Sequence, residues 1–197
     1  MSTTQPNNRV CIVGGGPAGL ATARALLLAG IEFHIFEKHS AVGGIWDPTN
    51  PGSPMYESAH FISSKTMSGY YDYPMPDDYP DYPSNKEILA YIRGFCEAYD
   101  LRKHLQFDTQ IDEALYEKDR GWTLKTNHGT REGYRWLVAA NGVTWYPKSP
   151  KFDGEETFTG KIMHSVNYQN RDQIAGKRVL IVGAGNSGVD IACDAAS

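Results

Sequence analysis

Gly14-Gly15-Gly16-Pro17-Ala18-Gly19 is a run whose residue types and spacing suit the binding of a pyrophosphate. Gly14 permits a tight strand-to-helix turn, Gly16 lets the backbone come close to the diphosphate, and Gly19 allows close packing of helix on strand. Gly15 and Ala18 add no bulk, and Pro17 suits the first helical turn, where a missing N–H costs nothing. The unpaired amides of such a helix start favour an anion. Glu37 lies 18 residues past Gly19, where a carboxylate accepts the hydroxyls of an adenosine ribose and repels a phosphate there. This first loop therefore suits FAD or NAD rather than NADP. Gly183, Gly185 and Gly188 repeat the spacing, so the nucleus of the fold occurs twice. Two dinucleotide sites imply electron transfer, most simply from a nicotinamide to a flavin. Asn186 and Ser187 either supply further donors to the second pyrophosphate or cap a helix.

The elements that position these residues are legible from periodicity. Arg9 to Val13 reads as a buried strand, Pro17 to Leu28 as a helix stopped by Gly30, and Phe33 to Phe36 as a second strand ending at Glu37. Asp47 to Pro83 carries too many turn residues for a regular element and is expected to be a long ordered loop. Pro80-x-x-Pro83 within it is also the spacing of a polyproline ligand for an SH3-like partner, a less economical reading. Ser84-Asn85-Lys86-Glu87 forms a capping box before an amphipathic helix through Tyr99. Alternation then predicts an antiparallel meander with strands at Leu105 to Ile111, Trp122 to Thr126 and Tyr134 to Val138. Arg178 to Val182 is expected to be a buried strand entering the second loop.

The bulk properties exclude more than they identify. With 197 residues, 41% of them apolar, the chain is long enough for one domain and part of another. Its net charge of −4 shows no basic block, so no nucleic acid partner is expected. No apolar run approaches the roughly 20 residues of a membrane span. Met1 to Asn8 lacks the layout of a signal peptide, so a cytoplasmic protein without membrane contact is expected. Cys11, Cys96 and Cys193 match neither a metal site nor a disulfide framework, and are read as ordinary buried thiols in a reducing compartment. Ser197 falls inside the helix after the second loop, so the polypeptide reads as a fragment or as the first half of a split protein. Isolated, such a chain is expected to hold its cofactor weakly or not at all.

Phe158-x-Gly160-x-x-x-His164-x-x-x-Tyr168, just before the second glycine loop, resembles the signature of the flavin-containing monooxygenases, within the class B flavoprotein monooxygenases. Phe36-Glu37-Lys38, Gly43-Gly44-Ile45-Trp46, Ser64-Lys65-x-Met67-Ser68, Pro74 to Pro80 and Gly185-Asn186-Ser187-Gly188 support the resemblance, which covers nearly the whole chain. Tyr168 is similar to the N-oxygenating branch, whereas Baeyer–Villiger enzymes carry Trp there.

The resemblance implies an α/β fold with two dinucleotide-binding domains. Residues 1–157 would form the first part of a Rossmann-like FAD domain with a small β meander, 158–168 the linker, and 169–197 the start of an NADP domain. It implies that NADPH reduces FAD, that O2 adds at flavin C4a, and that the hydroperoxide oxygenates a soft amine or sulfide. Gly44, Ile45 and Trp46 would lie along the FAD, Gln110 and Ile111 would present backbone to the adenine, and Ser187, Gly188, Val189 and Asp190 would touch the nicotinamide cofactor. Lys38 and Ser63 fall within the same FAD-binding stretches, and His164 would act as a hinge. Ile62 fills the position of the family's flavin-facing Asn and cannot donate a hydrogen bond. An uncoupled NAD(P)H oxidase releasing hydrogen peroxide is therefore an alternative. Ala139-Ala140-Asn141-Gly142 replaces the family's Ala-Thr-Gly. The rest of the same enzyme, or a second copy, would be the protein partner. Disulfide reductases fit poorly because no Cys follows Gly44 until Cys96, and flavin amine oxidases need no second nucleotide loop.

Overall fold

The computed structural model describes residues 8–197, so the opening segment read for a signal peptide lies, except for Asn8, outside the described residues. The backbone packs as two compact units. One runs to Gly44 and resumes over Leu89–Gly142, and the other comprises Ile45–Ile88 and Val143–Ser197.

The first unit is built on a four-stranded parallel sheet. Strands β1 (Val10–Val13) and β2 (Phe33–Phe36) flank helix α1 (Pro17–Leu28) as a βαβ unit. Pro17 opens α1, and Gly30, at φ +65°, closes it. The Gly30 amide donates to Leu27 O and the Ile31 amide to Leu26 O, a pair of bonds that satisfies the last carbonyls of the helix. Cys11, Ile12, Leu20, Ala23, Phe33 and Ile35 are fully buried, which accounts for the unbroken apolar runs in β1 and β2.

Strands β3 (Leu105–Gln106), β4 (Ile111–Glu117), β5 (Gly121–Thr126), β6 (Gly129–Tyr134) and β7 (Trp136–Ala139) complete the unit. The parallel sheet runs β3-β2-β1-β7, and β4-β5-β6 form a separate antiparallel meander. The expected meander is therefore corrected at both ends. Leu105–Gln106 pairs with Ile35 and Phe36, and Trp136–Ala139 pairs with all four residues of β1. Alternation identifies a strand without naming its partner, and Trp136–Ala139 is in any case a short apolar run of the kind parallel sheets bury. An Asn127-His128 turn joins β5 to β6.

In the second unit, Asp47 to Pro83 is mostly irregular, as the turn residues predict, with one short helix, α2 (Lys65–Ser68). Lys65 Nζ donates to the carbonyls of Asp77 and Tyr79, which ties the Pro-rich stretch back on itself. The capping box is present: Ser84 N and Oγ both donate to Glu87 Oε2, and the Glu87 amide approaches Ser84 Oγ at 3.3 Å. It opens α3 (Asn85–Ala98), within which the division between the units falls. Helix α4 (Asn186–Ala196) ends the chain.

Two expectations fail. Arg178 to Val182 has no regular structure and pairs with no strand among the described residues, and Leu180 and Val182 are exposed. An apolar run becomes a strand only where a neighbour takes up its amides and carbonyls. Cys11 and Cys96 are buried thiols, but Cys193 is exposed, because it lies on the face of α4 away from buried Ile191.

Candidate functional site

The first glycine loop follows β1 directly. Gly14 has φ +108°, and a Cβ there would sit 2.5 Å from the carbonyl oxygen of Ala140, so Ala139-Ala140-Asn141 lies hard against the turn. A Cβ on Gly19 would collide with the Gly14 carbonyl oxygen and crowd Ile12. Gly19 is thus required by helix-on-strand packing, as its spacing predicts. Gly16 is the N-cap of α1, with Pro17 the first helical residue and no acidic residue in the first turn. A Cβ on Gly44, which has φ +59°, would lie 3.2 Å from Gly16 Cα, while the Gly43 amide donates to Gly15 O. Two glycine turns thus face each other with no side chain between them, in front of helix amides that have no acceptor within the helix. A backbone cradle at the positive end of a helix fits a pyrophosphate.

Glu37 is buried at the end of β2. Its Oε2 accepts from the Gly15 amide at 2.6 Å and its Oε1 from the His39 amide at 2.9 Å. These bonds hold the carboxylate against the loop and leave lone pairs for two ribose hydroxyls. Lys38 is exposed. Gln110 is exposed at the entry to β4; its amide donates to Asn127 Oδ1, and its carbonyl accepts from the Asn127 amide. Ile111 pairs with Thr126.

Gly44–Trp46 forms a single 3-10 turn, and the second unit begins within it at Ile45. Ile45 O accepts from Ser53 Oγ, and the Trp46 ring meets Phe61 edge-on at 5.3 Å. Ile62 and Ser63 are both exposed.

The second glycine loop repeats the first in backbone detail. Gly183 has φ +114°, and a Cβ on Gly188 would strike the Gly183 carbonyl as one on Gly19 would strike Gly14. Gly185 caps α4 at φ −77°, ψ 174°, close to the −80°, −174° of Gly16. Because Gly185 is the cap, Asn186 and Ser187 are the first helical residues and the capping role left open for them does not apply. Val189 is exposed, and Asp190 Oδ2 accepts from the Tyr56 hydroxyl at 2.6 Å.

The signature segment lies in the same unit. The Phe158 ring lies over Gly160, where a Cβ would be 2.5 Å from the ring. His164 caps a short 3-10 turn, its Nδ1 accepting from the Val166 amide. Tyr168 is 1% exposed, and its hydroxyl donates to Asp194 Oδ2 at 2.7 Å, which also accepts from Ser58 Oγ at 2.5 Å. Burial, and then the Asp194 carboxylate, push the Tyr168 hydroxyl pKa up; burial and Asp190 push that of Tyr56 up to about 12. Both tyrosines are therefore protonated donors at neutral pH. Tyr56, Ser58 and Asp194 were not singled out from sequence. The available signal was Asp190 and Asp194, four residues apart and so on one face of α4.

A βαβ unit with a bare backbone cradle, followed by a second loop of the same geometry, defines a protein of the two-dinucleotide class. The model of the flavin-binding monooxygenase-like family matches residues 7–197, and the chain belongs to that family. It is 35% identical over 200 residues to human flavin-containing monooxygenase 1, covering 95% of this chain and 38% of that protein. The chain thus spans about two fifths of the length of this curated relative. The S-allyl-L-cysteine S-oxygenase of Allium sativum superposes with a TM-score of 0.85 at 29% identity, over 95% of this chain and 48% of that one. OTEMO in complex with FAD and NADP superposes at 0.70 with 25% identity, over 98% and 38% of the two chains.

Proposed function

We propose that the protein is an NADPH- and FAD-dependent monooxygenase that transfers one oxygen atom of O2 to a soft nitrogen or sulfur nucleophile. The observation that carries this reading is the pair of bare glycine cradles in a chain of this family, one backed by Glu37 and one by α4. Up to residue 157 the chain would serve FAD, 158–168 would join the domains, and 169–197 would open the NADP domain.

The turn from Gly14 to Gly19, faced by Gly44, would cradle the FAD pyrophosphate at the start of α1. The Gly14 and Gly15 amides already donate to Phe36 O and Glu37 Oε2, and Pro17 has none, so Gly16, Ala18 and Gly19 would offer the amides. Glu37 would accept from the adenosine ribose. Lys38, Ile45, Trp46, Ile62, Ser63, Gln110 and Ile111 would border the same cofactor. Gly183, Gly185, Asn186, Ser187, Gly188, Val189 and Asp190 would face NADP. Bound FAD, reduced by NADPH, supplies the activation of O2. The chain's own residues bind, orient and exclude water, and none of them has to act as nucleophile or proton donor.

Ile62 favours a second reading, an NADPH oxidase that releases hydrogen peroxide, because a hydrocarbon side chain donates no hydrogen bond to a reactive oxygen species. Mass spectrometry of the product formed from a sulfide or tertiary amine under 18O2 separates the two. One labelled oxygen atom in the product supports the monooxygenase; NADPH consumption matched by peroxide, with unlabelled substrate returned, overturns it.

A further inference from the structure

Helix α4 carries two carboxylates where an isolated helix would not favour them. Asp190 and Asp194 are like charges at i and i+4, and Asp194 sits in the last turn, against the negative end of the helix dipole. Each is answered from outside the helix. Tyr56 donates to Asp190, and Ser58 and Tyr168 both donate to Asp194, at distances of 2.5 to 2.7 Å. Hydrogen bonds to an ionised acceptor are roughly twice as strong as neutral ones.

The donors come from two separate stretches of chain. Tyr56 and Ser58 belong to the long loop, whose Glu57 amide donates to Gln169 O beside Tyr168. The Tyr56 carbonyl accepts from Asn85 Nδ2 at the start of α3, and the Tyr56 and Tyr168 rings meet at 5.7 Å. Below them, Tyr56, Ala59, Tyr168, Ile174 and Ile191 form one buried cluster, against which Ile181 packs from the segment leading into the second glycine loop.

We infer that Tyr168, with Tyr56 and Ser58, is a positioning residue for the second dinucleotide site: it anchors α4 through Asp194 so that the Gly183 to Gly188 turn is held in its binding geometry. This gives the signature tyrosine a role that needs its hydroxyl. The inference rests on the reading of the second loop as the NADP site. It differs from a purely structural role in predicting that nicotinamide binding suffers while flavin binding does not.

The test uses flavin-loaded protein, with Tyr168→Phe, Asp194→Asn and the double variant. Titration calorimetry with NADP+ gives affinity, flavin absorbance gives FAD retention, and amide hydrogen exchange follows residues 186–196. Each single variant is expected to bind NADP+ about tenfold more weakly, a usual size for coupled sites. The double variant should lose little more than either single one, because Tyr168→Phe removes the same hydrogen bond that Asp194→Asn weakens by taking away the acceptor's charge. FAD retention should be unchanged and α4 should exchange faster. NADP+ binding equal to wild type in both single variants, or losses that simply add, overturns the anchor. If the wild-type protein itself takes up no NADP+, the reading of the second loop fails, and unchanged exchange over α4 in the variants then overturns the anchor independently. Should either variant fail to fold, Ser58→Ala removes a donor to the same carboxylate with the ring packing intact, and the same outcomes apply.

Discussion

A single methyl group at position 19 tests the first loop more sharply than any change of charge. The added Cβ would meet the Gly14 carbonyl, which is backbone and held by the turn, so neither partner can swing aside. Gly19→Ala is expected to destabilise the protein by about 1–3 kcal/mol, as overpacking does, and to abolish flavin retention. Denaturant unfolding and the flavin spectrum read the two effects, and a flavin-bound variant of wild-type stability would refute the packing argument. The thiols give a second prediction at this scale. Burial pushes Cys11 up to about 12 and Cys96 up to about 11, whereas Cys193 is exposed. One thiol of three should therefore react rapidly with a disulfide reagent in native protein, and Cys193→Ser should remove that phase. At this scale the sequence was informative about glycines, whose spacing has a geometric meaning, and silent about Tyr56 and Ser58, whose partner lies 134 and 136 positions away.

Helix α3 depends on its capping box, a purely local device that sequence reveals well. Ser84→Ala removes the hydroxyl that Glu87 engages and is expected to cost about 1 kcal/mol. Urea unfolding would show it as a lower midpoint at unchanged slope. The packing of the meander against the sheet is a longer-range matter. His34 on β2 shares a 2.8 Å hydrogen bond with Tyr134 at the end of β6. Burial first, and then the Arg9 and His104 charges, lower its pKa, while Glu32 opposes. Burial lowers His104 likewise. The unfolded chain then binds more protons than the native one below its ordinary pKa of about 6.5, so stability is lost as pH falls through that value. The unfolding midpoint should drop between about pH 7.5 and 5.5, and less so in His34→Gln; an equal drop would show that His34 is not the group responsible. Periodicity located β3 and β7 as strands but assigned them to the wrong sheet. Pairing between residues 10 and 136 is decided by tertiary neighbours.

At the scale of the molecule, the βαβ nucleus and its repetition were legible because both loops must meet the same backbone demands. The parallel order of the four strands was not, because order is a property of the whole sheet. Arg178 to Val182 shows the limit from the other side: the residues have strand character, yet among the described residues no strand takes up their hydrogen bonds. The central claim is that one loop holds a flavin and the other the nicotinamide that reduces it. Anaerobic addition of NADPH to FAD-loaded protein, followed by visible absorbance, tests it directly. The account predicts that the flavin bleaches in wild-type protein and that Gly188→Ala, whose Cβ would strike the Gly183 carbonyl, slows or prevents the bleaching while flavin stays bound. A bound flavin that NADPH leaves oxidised, or bleaching that Gly188→Ala leaves untouched, would contradict it.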